Sequence, residues 1–128
     1  MDAKRILIVE DCRINTLLMK HLLSKHGFRV DSAASGEEAL EMVQRRQYEL
    51  LFLDVMLPGL DGFELCSRIR SMEAKKRSEI YFMTGMGESY SAGKVDEVDA
   101  DGIFFKPIVP SQIGEVARRA LEEESENV

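Results

Sequence analysis

Five short candidate strands, most of them apolar runs, recur along the chain at residues 6–9, 29–33, 50–53, 80–83 and 102–105, and each is followed by a longer amphipathic stretch. Runs this short have the length of strands rather than of helices. Most are apolar at successive positions instead of alternate ones, which fits parallel strands covered on both faces better than strands with one wet side. Strand and helix in strict alternation predict an α/β fold, a (βα)5 doubly wound parallel sheet of five strands with helices on both faces.

The amphipathic stretches supply the helices. Ile14, Leu17, Leu18, His21 and Leu22 recur at helical spacing, predicting a helix over residues 13–26 that turns this stripe to the core and is ended by Gly27. Ser35 is the expected N-cap of a second helix carrying Ala39, Leu40 and Val43, with Glu38 placed to complete a capping box. Asp61 is expected to cap a third that buries Leu65, Ile69 and Met72 along one side, with Cys66 beside them. The fourth, over residues 88–98, is weakened by Ser89, Ser91, Gly93 and Asp96 and is expected to be mobile. The fifth starts at Pro110-Ser111 and carries Ile113, Val116, Ala117, Ala120 and Leu121. Residues 1–122 are therefore expected to form one domain and residues 123–128 an acidic C-terminal tail.

A single domain also suits the length of 128 residues. With 17 Lys and Arg against 23 Asp and Glu, the net charge of −6 argues against broad electrostatic adhesion to nucleic acid or anionic membrane, and neither is expected as a direct partner. Only residues 6–9 are strongly apolar near the N-terminus, too few for a secretory signal, and no other run approaches a membrane span. Cys12 and Cys66 offer neither a CxxC pair nor metal-ligand spacing, so a reducing cytoplasm is the expected setting.

Ligands of an open parallel sheet bind beyond the carboxyl ends of its strands. There the sequence places Glu10 and Asp11 after the first strand, Asp54 after the third, Thr84 and Gly85 after the fourth, and Lys106-Pro107 after the fifth. Singly, each is an ordinary cap, turn or surface residue. Together they put three carboxylates, a hydroxyl and an ammonium on one rim. Carboxylates about 5 Å apart repel by roughly 3 kcal/mol per pair at an effective dielectric near 20, so the group needs positive charge. Oxygen-only donors without His or thiolate suit a hard, partly hydrated Mg2+. Lys106 supplies the remaining charge and is expected within salt-bridging reach of Asp54 or its neighbours. A rim of this kind suits a phosphoryl group, with Lys106 and the cation neutralising its oxygens, Thr84 donating to one of them, and a carboxylate as nucleophile.

The run Ile6-Leu7-Ile8-Val9-Glu10-Asp11, the run Leu53-Asp54-Val55-Met56-Leu57-Pro58-Gly59-Leu60-Asp61-Gly62, then Thr84-Gly85 and Lys106-Pro107, resemble the CheY-like receiver domain of two-component response regulators. The resemblance covers almost the whole chain. It implies a flavodoxin-like strand order 2-1-3-4-5 and Asp54 as phosphoacceptor. It also implies Mg2+ bound by Asp11, Asp54 and the Met56 backbone carbonyl with Glu10 acting through water, Thr84 as the switch hydroxyl, and Lys106 on the phosphoryl group. The implied partners are a sensor histidine kinase or histidine phosphotransfer protein as donor, and an output domain or effector at a face formed by helix four, strand five and helix five. Such a domain catalyses only its own phosphorylation and dephosphorylation. Because a carboxylate is already ionised at pH 7, no general base is required.

Three other readings compete. An aspartyl-nucleophile phosphatase of the haloacid dehalogenase kind needs a second Asp two residues after the nucleophile, where this chain has Met56. An FMN carrier of the flavodoxin kind would not place Glu10 and Asp11 against a phosphate. A phosphorylation-independent docking module usually lacks the acidic pair, the Asp or the Lys, all of which are present. Two positions depart from the family pattern. Ile103 stands where many receivers carry an aromatic residue, and Asp99 stands where a Gly usually ends the fourth helix, from which a looser junction is expected. Met56 and Met86 are expected at the mouth of the site, and His21 and His26 as structural or surface residues.

Overall fold

The computed structural model describes residues 4–72, 77–85 and 88–126. In chain order the elements are β1 (Arg5–Val9), α1 (Arg13–Ser24), β2 (Arg29–Ala33), α2 (Gly36–Arg45), β3 (Leu50–Asp54), α3 (Gly62–Met72), β4 (Glu79–Thr84), α4 (Glu88–Glu97), β5 (Gly102–Phe105) and α5 (Pro110–Glu126). All five strands are parallel and lie in the order β2-β1-β3-β4-β5. Among the described residues no helix is long and apolar enough to cross a membrane.

The continuous apolar runs are explained by the layers. Leu7, Val9, Leu51, Leu53, Ile80 and Phe82 face one side of the sheet and pack with residues of α2 and α3, among them Ala39, Phe63, Leu65 and Ile69. Their strand neighbours Ile6, Ile8, Leu50, Phe52, Tyr81 and Met83 face the other side and pack on Met19 and Leu23 of α1 and Ile113, Val116, Ala117 and Ala120 of α5. Side chains alternate between faces along a strand, so covering both faces requires apolar residues at every position. On the α1/α5 side Phe52, Tyr81 and Phe104 form a row, with ring centroids 6.0 Å and 5.6 Å apart.

Local signals set the helix boundaries. The Ser35 hydroxyl accepts from the Glu38 amide at 3.2 Å, and Asp61 Oδ1 accepts from the Glu64 amide at 2.9 Å, so both expected caps are made. Gly27, at φ 87°, follows α1 in the left-handed conformation that glycine adopts without a Cβ penalty.

Three expectations are corrected. Most of the stripe assigned to the core face of α1 points outward: Ile14 is 77% exposed and Leu17 57%, Leu18 and His21 are exposed, Leu22 is half-buried, and Met19 and Leu23 are the buried residues instead. Two faces of α1 carry apolar residues at helical spacing, and spacing alone does not say which meets the sheet. Met72 is exposed because it is the last residue of α3, beyond the helix's packed turns. The junction after α4 is held rather than loose. Asp99 does adopt a left-handed φ of 59°, as a residue in place of the usual Gly must, but its carbonyl accepts from Arg70 Nε at 2.8 Å and Arg77 Nη2 at 3.2 Å. The backbone of α4 is helical over its stated range, and α5 stays helical through Glu126, while the Leu121 side chain and Met86 lie outside the described residues.

Candidate functional site

The chain leaves β1 toward β2 on one side and returns to β3 on the other, so the carboxyl ends of β1 and β3 flank the point where strand order reverses. Glu10 and Asp11 follow β1, and Asp54 ends β3. The Glu10 amide donates to the Ala33 carbonyl at 3.1 Å, extending the β1–β2 ladder by one residue and fixing the backbone there. On the far side, the Val55 amide donates to Met83 at 3.2 Å and the Lys106 amide to Thr84 at 2.8 Å, so the ends of β3, β4 and β5 are tied in the same way. The Lys106–Pro107 peptide is cis.

The turn from β3 into α3 is unusually close. Gly62 donates its amide to Val55 at 3.0 Å, and a Cβ built on Gly62 would stand 2.3 Å from the Asp54 carbonyl oxygen. The start of α3 therefore rests directly on the backbone of Asp54.

One carboxylate oxygen from each of Glu10, Asp11 and Asp54 lies within 4.8 Å of the other two. Asp11 is exposed, whereas Glu10 and Asp54 are buried. Lys106 Nζ spans the two buried acids, donating to Asp54 Oδ2 at 3.0 Å and to Glu10 Oε1 and Oε2 at 3.0 and 3.1 Å. Asp54 Oδ1 accepts from the Met56 amide at 3.0 Å, which places Met56, itself 62% exposed, beside the carboxylate. Thr84 is fully buried at the end of β4. The structure thus gathers Glu10, Asp11, Asp54 and Lys106 directly, with the Met56 backbone next to them and Thr84 one strand away.

The electrostatics follow from burial and crowding. Burial holds the Glu10 carboxyl above its ordinary value, and neighbouring Asp54 pushes the same way, against the bonds from Asn15 and Lys106. Burial alone would lower Lys106, but its bonds to Asp54 and Glu10 outweigh that and hold the ammonium above its usual range. One ammonium faces three carboxylates, so the cluster is short of positive charge. All its donors are oxygens and one acid opens to solvent, which fits a hard, partly hydrated divalent cation.

Asn15 belongs to the site and is absent from a reading of strand ends: its Nδ2 donates to Glu10 Oε1 at 2.9 Å from the first turn of α1. Nothing in its spacing marks it, because only the packing of α1 on β1 brings it to Glu10. Neither Cys12 nor Cys66 forms a disulfide; the first is exposed, and the second is buried with its thiol donating to the Val98 carbonyl at 3.4 Å.

Comparison with known proteins places the chain among relatives of one family. Over 110 residues the chain is 34% identical to the alkaline phosphatase synthesis transcriptional regulatory protein PhoP of Bacillus subtilis, covering 86% of this chain and 45% of that protein. It is 37% identical over 103 residues to the phosphate regulon transcriptional regulatory protein PhoB of Rhizobium meliloti, covering 80% and 45%. The chain spans about half the length of these curated relatives. Among solved structures, the response regulator receiver domain protein (CheY-like) of Methanospirillum hungatei superposes with a TM-score of 0.88 at 25% identity, over 99% of this chain and 100% of that one. The family model of the response regulator receiver domain matches residues 6–118, and the chain belongs to that family.

Proposed function

We propose that Asp54 is the phosphoacceptor and that the domain catalyses its own phosphorylation and dephosphorylation. The observation that carries this is a buried Asp54 carboxylate grouped with Glu10 and Asp11 and bridged by Lys106 at 3.0 Å. In the forward step an Asp54 oxygen attacks phosphorus, a P–O bond forms, and the P–N bond of a donor phosphohistidine breaks with the electron pair leaving on nitrogen. Small acyl phosphates serve as substitutes, with a P–O bond broken instead. Lys106 turns to a phosphoryl oxygen, and Thr84 donates its hydroxyl to another. A Mg2+ ion held by Asp11, Asp54 and the Met56 carbonyl, with Glu10 acting through water, would supply the remaining charge neutralisation. Hydrolysis resets the switch, as water attacks phosphorus and the P–O bond to Asp54 breaks.

The donor is a histidine kinase or phosphotransfer protein, and the exposed stripe Ile14, Leu17 and Leu18 supports its docking over α1, immediately beyond Asp11. The output partner belongs on the face of α4, β5 and α5. We take residues 1–122 as the receiver unit, residues 123–128 as a tail, and the cytoplasm as the setting. The expectation of no direct nucleic-acid contact concerns these residues alone. The relatives are named as transcriptional regulatory proteins, and more than half of each lies beyond the match, so it does not extend to a longer protein.

The test is mass gain after incubation with acetyl phosphate, with and without Mg2+. The wild type should gain one phosphoryl group only with the metal, Asp54→Asn none, and Asp11→Ala much less. Undiminished labelling of Asp54→Asn would overturn the assignment. Leu17→Asp should leave acetyl phosphate labelling intact and slow transfer from a phosphohistidine protein at least tenfold; equal transfer would remove α1 from the docking surface.

A further inference from the structure

The Glu10 side chain has no exposed surface, so its carboxylate depends on protein donors. Among the described residues the hydrogen bonds to it come from Asn15 and Lys106. These donors are unlike in two respects. Lys106 is charged and shared, since the same Nζ also serves Asp54 Oδ2 at 3.0 Å. Asn15 is neutral, sits on α1 rather than on the sheet rim, and donates to Glu10 Oε1 at 2.9 Å. The partner fixes the orientation of its amide, because a carboxylate accepts from the nitrogen and would repel the oxygen.

The division matters once a phosphoryl group reaches Asp54. Lys106 must then turn to the new oxygens, and each bond it gives them is taken from Glu10 or Asp54. Glu10 would be left as a buried carboxylate without a protein donor if Lys106 were its whole support. Asn15 prevents this, since it is a donor that Glu10 does not share with Asp54 and its donor strength does not depend on the charge at Asp54. A cation at position 15 would compete with the metal for Glu10, and a carboxylate there would add a fourth negative charge. A neutral donor does neither.

We infer that Asn15 is a positioning residue for the phosphoryl-transfer site: it keeps the Glu10 carboxylate seated toward the metal cluster while Lys106 passes from Glu10 to the phosphoryl group. The inference rests on the phosphoacceptor reading above and places Asn15 outside the chemistry, acting through Glu10 alone.

The test is binding of beryllofluoride, a phosphoryl mimic, in saturating Mg2+, followed by NMR titration of the full chain. Asn15→Leu should weaken binding about tenfold, the order expected when one hydrogen bond to a buried charge is lost. Asn15→Asp keeps the side-chain shape, removes the donor and adds charge, so it should weaken binding further; it also serves if the leucine variant does not fold. In a Glu10→Ala background Asn15→Leu should change affinity by less than about twofold, because the residue through which it acts is gone. Equal losses in both backgrounds would make Asn15 a helix-packing residue and overturn the inference, as would wild-type affinity in both Asn15 variants. If the wild type itself binds no beryllofluoride, the phosphoacceptor reading fails and this inference falls with it. If the wild type binds and the Asn15 variants match it, only this inference fails.

Discussion

The two ends of the sheet hold charge clusters built from similar parts to opposite effect. At the carboxyl end, Glu10, Asp11 and Asp54 lie together, and among the described residues Lys106 is the ammonium that pairs with Glu10 and Asp54. At the amino end of β4 and β5, two guanidiniums meet two carboxylates. Arg70 Nη2 pairs with Asp101 Oδ2 at 3.1 Å, Arg77 Nη1 with Asp101 Oδ1 at 2.9 Å, and Arg77 Nη2 with Asp99 Oδ1 at 3.4 Å. Arg70 also donates to the Ser78 carbonyl at 2.7 Å, and Asp101 Oδ2 accepts from the Ile80 amide at 2.7 Å. Planar forks matched to carbonyls and carboxylates fasten the end of α3 to the starts of β4 and β5. A balanced cluster, whose guanidiniums and carboxylates pair with one another and with nearby backbone, acts as a brace. A cluster short of positive charge is stable only with help, and that shortage suits it to take up a cation.

Breaking the brace should have the largest effect on stability. Arg70→Ala leaves the buried Ser78 carbonyl and the Asp101 carboxylate short of a donor, and should cost about 2–3 kcal/mol in urea unfolding. Arg70→Lys should recover less than half, since an ammonium cannot serve both carbonyls and the carboxylate. A loss below about 1 kcal/mol for Arg70→Ala would mean that this end does not brace the fold.

Relieving the charge-poor end should act in the opposite direction and more weakly. Glu10→Gln should raise stability without metal by about 1 kcal/mol at pH 7.5, because it removes a buried negative charge that burial already disfavours. The pH dependence has a definite sign. The folded chain keeps a proton on Glu10 that the unfolded chain releases near 4.5, so wild-type stability should fall as pH rises from 4.5 to the raised value of the folded state. That fall should be reduced in Glu10→Gln, compared by urea unfolding at pH 5 and 7.5. Added Mg2+ should stabilise the wild type more than the variant.

The smallest effect sharpens the account of the brace itself. Asp99→Gly relieves a left-handed backbone at φ 59° but gives up exposed pairs with Arg77 and Arg70, while the carbonyl bonds remain. Strain relief of up to about 1 kcal/mol against surface pairs of a few tenths each should leave a net gain near 0.5 kcal/mol or less in thermal unfolding. A loss would show that the Asp99 side chain, and not only its carbonyl, carries the brace.

What the sequence made legible divides along the same line. Strand ends are legible because a run of apolar residues stops abruptly at a charge, so Glu10, Asp54, Thr84 and Lys106 could be placed on one rim before any packing was known. Helix caps are legible for the same local reason, as Ser35 and Asp61 show. The phase of α1 was not, because Ile14, Leu17 and Leu18 are as apolar as Met19 and Leu23 and only the sheet decides between them. The brace and Asn15 were hidden for a further reason: Arg70 meets Asp99 and Asp101, and Asn15 meets Glu10, through tertiary packing that leaves no mark on residue spacing.

The approach of Gly62 to Asp54 also has a consequence for how this sequence can drift. The constraint is proximity rather than a left-handed turn, so it cannot be met by the Asn or Asp that often replaces Gly in turns. Every missense change at codon 62 adds at least a Cβ, and that Cβ falls 2.3 Å from the Asp54 carbonyl oxygen, so the start of α3 or the end of β3 must yield. Position 62 therefore has no neutral neighbour in sequence space. A residue with no side chain and no chemistry is as tightly bound to the fate of Asp54 as the charged groups that touch its carboxylate.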